Sequence, residues 1–123
     1  MDQSTETKET TVSFPTTPDA EGFYYENQAD QEQGITTKVY ENDSKVKRAM
    51  LPGCKKLALV RELRATDTKE IRRFMDSDKE KYELAAITVA TTLDGEKQPF
   101  EVIGALKMKD YTRVSSMYSD LNF

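Results

Sequence analysis

Lys45-Val46-Lys47-Arg48-Ala49-Met50-Leu51-Pro52-Gly53-Cys54-Lys55-Lys56-Leu57-Ala58-Leu59-Val60-Arg61-Glu62-Leu63 separates a fold with a β-hairpin from an all-helical one. Residues 45–51 read as a strand, and Pro52-Gly53 breaks the run. Pro fixes φ and Gly permits φ > 0, the pairing a tight turn uses. Lys55 to Leu63 follows, with Leu57, Leu59 and Leu63 on one face, interrupted by Arg61. Residues 45–63 therefore read as a β-hairpin. An all-α arrangement stays open, because the propensities of Lys55–Leu63 do not exclude a helix.

Before the hairpin, Gly34 opens a strand-like run, Ile35 to Tyr40, and Glu41-Asn42-Asp43-Ser44 reads as a turn. Beyond it the period changes. Asp67 with Glu70 signals a helix start, followed by Ile71, Phe74 and Met75 at helical spacing. Ser77 with Glu80 repeats that signal. Tyr82, Ala86, Val89 and Leu93, widened by Leu84 and Ile87, then predict a helix at the centre of the core. Asp94-Gly95 reads as its end, and Pro99 suits the start of a short helix closing near Gly104. A last helix runs from about Met108, with Met108, Tyr111, Val114, Met117, Tyr118 and Leu121 on one side. The expected fold is α+β: a small hairpin, three-stranded if residues 35–40 join it, packed on three to four short helices over residues 34–123.

Residues 1–33 differ in composition. They hold eight acids, one base and eight apolar side chains, so their net charge is −7 within a chain of −4. Sparse apolar surface and one-signed charge predict a flexible, disordered acidic arm. The single cysteine excludes an intrachain disulfide and favours a reducing interior. No export signal and no membrane-length apolar run is present, so no membrane partner is expected.

Histidine is absent, which removes the commonest general base near neutral pH and the commonest metal ligand. Cys54 follows a Pro-Gly turn beside Lys55 and Lys56, but with no His to activate it a tolerated turn residue is the expectation. Asp76, Asp78 and Glu80 hint at a calcium loop, yet Lys81 and Ile87 stand where Gly and Glu belong, so they read as a helix N-terminus. Phosphate-binding glycine motifs are absent as well. No catalytic, cofactor-binding or metal-binding residue is assigned, and no enzyme is expected.

Ten bases fall within residues 45–73 against three acids. That is the charge a nucleic-acid surface needs, but the stacking aromatics are missing. The segment reads instead as a solvated hairpin face, or as a dock for the protein's own acidic arm. In the last helix, Met117, Tyr118, Leu121 and Phe123 are adaptable contact residues of the kind binding surfaces favour.

Leu51 to Leu63, then Arg64-Ala65-Thr66-Asp67, resembles the hairpin-to-helix segment of phage tail assembly chaperones of the Mu-like and P2-like type. The likeness lies in a leucine-proline-glycine turn with basic residues, a strand ending Val60-Arg61-Glu62-Leu63 and a helix opened by an acid. Leu93-Asp94-Gly95-Glu96, Phe100-Glu101, Leu106 and Asp110-Tyr111 are similar to that family's later turn, short helix and final helix start. The family's usual small polar residue is replaced by Cys54, and the leader before the resemblance is long.

The resemblance implies a non-catalytic protein that binds the tape-measure protein and/or tail-tube subunits in the host cytoplasm and is absent from the finished particle. Partner contact is expected at Met117, Tyr118, Leu121 and Phe123, with Arg48 and Lys56 on the hairpin as a second surface. A structural tail or baseplate component is the first alternative. A small nucleic-acid-binding regulator using residues 45–73 is the second. Homo-oligomerisation through the last helix is a further expectation.

Overall fold

The two halves of the deciding stretch pair as read. In a computed structural model describing residues 13–123, β2 (Lys45–Met50) and β3 (Leu57–Arg61) are antiparallel, with Arg48 opposite Leu59 and Ala49 opposite Ala58. Residues 36–39 supply β1 (Thr36–Val39), antiparallel to β2. The strand reading of Lys55–Leu63 thus holds, and the all-α alternative falls.

The sheet is larger than expected. The predicted Tyr82–Leu93 helix stops at Ala90, and Thr91–Leu93 forms β4 on β3, with β5 (Glu96–Lys97) beyond it. The order is β1-β2-β3-β4-β5, every pair antiparallel. The β-branched Thr91 and Thr92 favour a pleated surface over a helix end. Asp94 and Gly95 have φ of 52° and 84°, the two left-handed positions of a tight hairpin turn, so they join two strands where a helix terminus was expected.

Five α-helices lie among the described residues: α1 (Gln28–Gln33), α2 (Thr68–Met75), α3 (Tyr82–Ala90), α4 (Phe100–Gly104) and α5 (Met108–Asn122). The capping role expected of Ser77 belongs to Asp78, whose carboxylate accepts the Glu80 N–H. Every residue of α3 from Ala85 to Ala90 is buried, which places that helix at the centre of the core as expected. Ile71 and Met75 of α2, Ile103 of α4, and Val114, Met117 and Tyr118 of α5 complete the helical layer. The expected stripe on α5 holds except at Met108, which is 73% exposed.

The acidic segment differs most from its reading. Residues 1–12 of the expected arm lie outside the described residues, whereas residues 19–33 wrap one edge of the sheet. Phe23 is buried, Tyr24 forms a bridge with Thr37 on β1, and α1 carries a buried Asp30. Asn27 caps α1 by accepting the Asp30 N–H, and Gly34 ends it at φ 72°. The basic hairpin offsets the charge that suggested disorder. Glu26 pairs with Lys45 and Lys47, Asp30 with Lys47, and Glu21 with Arg48. Among the described residues no helix is long and apolar enough to cross a membrane.

Candidate functional site

Strand alternation sorts the sheet into two faces. Thr37, Lys47, Ala49, Ala58, Val60, Thr91 and Leu93 point toward the helices and are buried. The opposite face carries Thr36 and Lys38 from β1; Val46, Arg48 and Met50 from β2; Leu57, Leu59 and Arg61 from β3; Thr92 from β4; and Lys97 from β5. Four of these positions are cationic and none is acidic. Val46 and Phe23 are buried yet lie outside the main core cluster, so this face has an apolar group of its own. Met50 is 54% exposed, and Leu57 and Leu59 are half-buried.

Each cation is held differently. The Arg48 guanidinium stacks 3.7 Å from the Phe23 ring centroid and meets the Glu21 carboxylate at 3.4 Å. Lys38 lies 4.9 Å from the Tyr40 ring and 5.6 Å from that of Phe23. Arg61 donates both terminal nitrogens to Asp67, at 3.0 and 3.1 Å, and that pairing holds the Asp67 carboxyl below its ordinary value. Lys97 reaches Glu70 only at 3.4 Å, with its side chain 58% exposed.

Lys47 anchors the wrapping segment from the other side of the sheet. Its ammonium lies 2.7 Å from Asp30, 2.9 Å from Glu26 and 3.5 Å from Asp120 of α5, with its side chain 3% exposed. Burial pushes the Lys47 pKa down, but hydrogen bonds from its ammonium to Asp30 and Glu26 outweigh that, so it is raised.

A second buried carboxylate fixes the turn of the deciding hairpin. Asp110, 1% exposed at the start of α5, accepts the N–H groups of Gly53 at 2.7 Å and Cys54 at 2.9 Å. Burial pushes this carboxyl up; the two N–H groups and the Cys54 thiol outweigh that and hold it below the usual carboxylate range. Glycine is needed at position 53 for close approach, because a Cβ there would lie 2.5 Å from Asp110 Oδ2. The positive φ expected of Gly53 belongs to Lys55, at 62°. The small cavity beside Cys54, about 210 Å³, is lined by Gly53, Cys54, Ala105, Leu106, Lys107 and Asp110.

The expected contact residues separate. Met117 and Tyr118 are buried in the core, so they cannot form the partner surface assigned to them: their side of α5 packs under the sheet. Leu121 is half-buried against the same core, while Phe123 is 92% exposed and meets Tyr118 edge-on at 5.8 Å. Arg48 lies on the helix-free face, and Lys56 is exposed on the β2–β3 turn. Sequence reasoning missed Leu57, Leu59, Thr92 and Lys97 as one surface. The signal was the strand alternation in β3, hidden because β4 and β5 were read as helix end and turn.

Of the ten bases in residues 45–73, Lys45, Lys47, Arg48 and Arg61 are paired with acids, and the others are spread over a turn, a loop and α2. No group of three or more metal-binding side chains occurs among the described residues; Asp78 caps the turn at Lys79–Lys81 as a helix-start acid, whereas Asp76, expected with it, ends α2 at φ 51°. Comparison with protein-family models, with curated proteins and with solved structures gives no match to this chain.

Proposed function

We propose that this chain is a non-catalytic protein-binding module that works as a phage tail assembly chaperone, holding the tape-measure protein and/or tail-tube subunits in the host cytoplasm before assembly. The observation that carries the binding reading is the helix-free sheet face. It joins Met50, Leu57 and Leu59 to four cations and contains no carboxylate among its outward strand positions. A two-layer α+β domain with one apolar-basic sheet face left open has room for a third layer supplied by another protein.

The resemblance to tail chaperones supplies the partner class. Its two stretches support each other in space, because Asp110 of the second holds Gly53 and Cys54 of the first. The contact surface in this reading moves from Met117 and Tyr118 to the sheet face around Arg48, with Lys56 and Phe123 as accessible flanks.

Co-expression of the tagged chain with the tape-measure protein of the same phage, followed by affinity purification and mass spectrometry of mature particles, tests this function. Tape-measure protein in the eluate, and no chain in particles, is the expected result. Stoichiometric chain in particles would replace the chaperone with a structural tail component.

A further inference from the structure

The helix-free face already holds one ligand-like element, and it belongs to the chain itself. Glu21 and Phe23 bring a carboxylate and an aromatic ring onto Arg48, at 3.4 Å and 3.7 Å. Beyond that contact the face continues open: Met50 is 54% exposed, Leu57 and Leu59 are half-buried, and Lys97 has 58% of its side chain in solvent.

We infer that this open strip docks an acidic amphipathic helix of a partner protein, whose apolar side chains lie on Met50, Leu57 and Leu59 and whose carboxylates meet Arg48 and Lys97. The inference rests on the reading of this face as the partner surface and states the partner's chemistry.

Three observations choose this occupant. The backbone groups of β2, β3 and β4 are engaged in ladders on both sides, so an occupant of the face must bind through side chains. A strand added at an edge is disfavoured, because Tyr24 bridges the outer edge of β1 and β5 has only two residues. A helix laid on the face presents an apolar stripe with acids on either flank, matching a central Leu57–Leu59 strip between Arg48 and Lys97.

Charge decides the sign. All four outward charges are positive, and two of them are only loosely occupied. The Arg48–Glu21 and Lys97–Glu70 contacts are each 3.4 Å long, with Glu21 69% and Lys97 58% exposed, so water already screens them and an incoming carboxylate competes. Arg61 is different: its two-pronged pair with Asp67 leaves it unavailable.

The test titrates the isotope-labelled 123-residue chain with a helical peptide built of leucine at helical spacing and glutamate elsewhere, followed by NMR. A control peptide carries lysine in place of glutamate. The acidic peptide is expected to shift the amides of residues 46–50, 57–61 and 92–97, with the lysine peptide at least about tenfold weaker. Leu59→Glu and Lys97→Glu should each weaken the acidic peptide by about tenfold. Lys97 is exposed enough that its substitution leaves the fold intact, so a lost fold in Leu59→Glu would not decide the matter alone. Equal binding of both peptides, shifts confined to α5, or no response to Lys97→Glu would overturn the inference. Acidic-peptide binding without tape-measure co-purification would keep this surface and remove the chaperone assignment.

Discussion

Replacing Lys47 by methionine isolates what holds the acidic segment to the sheet. Methionine retains the apolar stem and removes the ammonium. The ammonium serves three carboxylates, those of Asp30, Glu26 and Asp120, whose side chains are 6%, 24% and 49% exposed. Asp120 and Glu26 recover solvation easily, so the cost concentrates on Asp30. Breaking a buried pair by removing one partner costs about 3–5 kcal/mol, because a charge stays behind in a place water barely reaches. A domain of this size has a total stability of about 5–15 kcal/mol, so Lys47→Met should remove a large share of it. Two controls separate the buried charge from mere loss of a contact. Lys45→Met removes a cation that is 44% exposed and should cost under about 1 kcal/mol. Lys47→Met combined with Asp30→Leu removes both charges and should recover most of the loss, since apolar replacement of a whole buried pair is close to neutral. Urea unfolding followed by circular dichroism measures these three variants and the Asp30→Leu single. A Lys47→Met variant within about 0.5 kcal/mol of the parent, or a double variant whose cost is the sum of its singles, would show that the Lys47–Asp30 pair does not hold the segment to the sheet.

Gly53→Ala should destabilise by about 1–3 kcal/mol, because the new Cβ at 2.5 Å from Asp110 Oδ2 pushes the carboxylate off the turn; urea midpoints measure it, and a neutral effect would contradict the close approach. Asp110→Asn should cost a similar amount, about 1–3 kcal/mol, since Gly53 and Cys54 donate to separate carboxylate oxygens and the amide replaces one of them with an NH2 group that cannot accept. Gly95→Ala should cost about 1 kcal/mol at φ 84°, read as lower protection of the β4–β5 amides in hydrogen exchange. Stability should also fall in acid. Glu26, Asp67 and Asp110 are held below their ordinary values, so what they contribute is complete above the unfolded-state values near about 4 and is lost as pH drops through the lower folded-state ones. At the other end, Lys47 is raised, so its contribution is complete below about 10.4 and disappears as pH climbs through the folded-state value. Urea midpoints measured from acid to alkaline pH should show a neutral plateau with both shoulders.

The hairpin was legible because its alternation and its Pro52-Gly53 break are local signals. The α5 start near Met108 and the central place of α3 were legible for the same reason: helical spacing needs no knowledge of distant residues. Asp94-Gly95 carried two meanings, helix stop and hairpin turn, and only the partner strand β3 selects between them. The acidic segment misled because its composition matches a disordered tail, while its counter-charges, Lys45, Lys47 and Arg48, sit 17 to 27 positions away. Asp110 shows the same limit: its two donors are 56 and 57 residues distant, so nothing near it marked it as structural. For the candidate site, Met117 and Tyr118 have the adaptable side chains that suit interfaces, but the same stripe suits a core, and it packs in the core under the sheet. Arg48 was found from charge alone. Its neighbours Leu59, Thr92 and Lys97 join it only through the register of four strands.

Hydrogen exchange of the 123-residue chain, alone and with the co-expressed tape-measure protein, separates the sheet face from α5 as the partner surface. Added protection is expected across residues 46–50, 57–61 and 92–97, with α5 unchanged. Protection confined to α5 and Phe123, with the sheet strands unaffected, would contradict it.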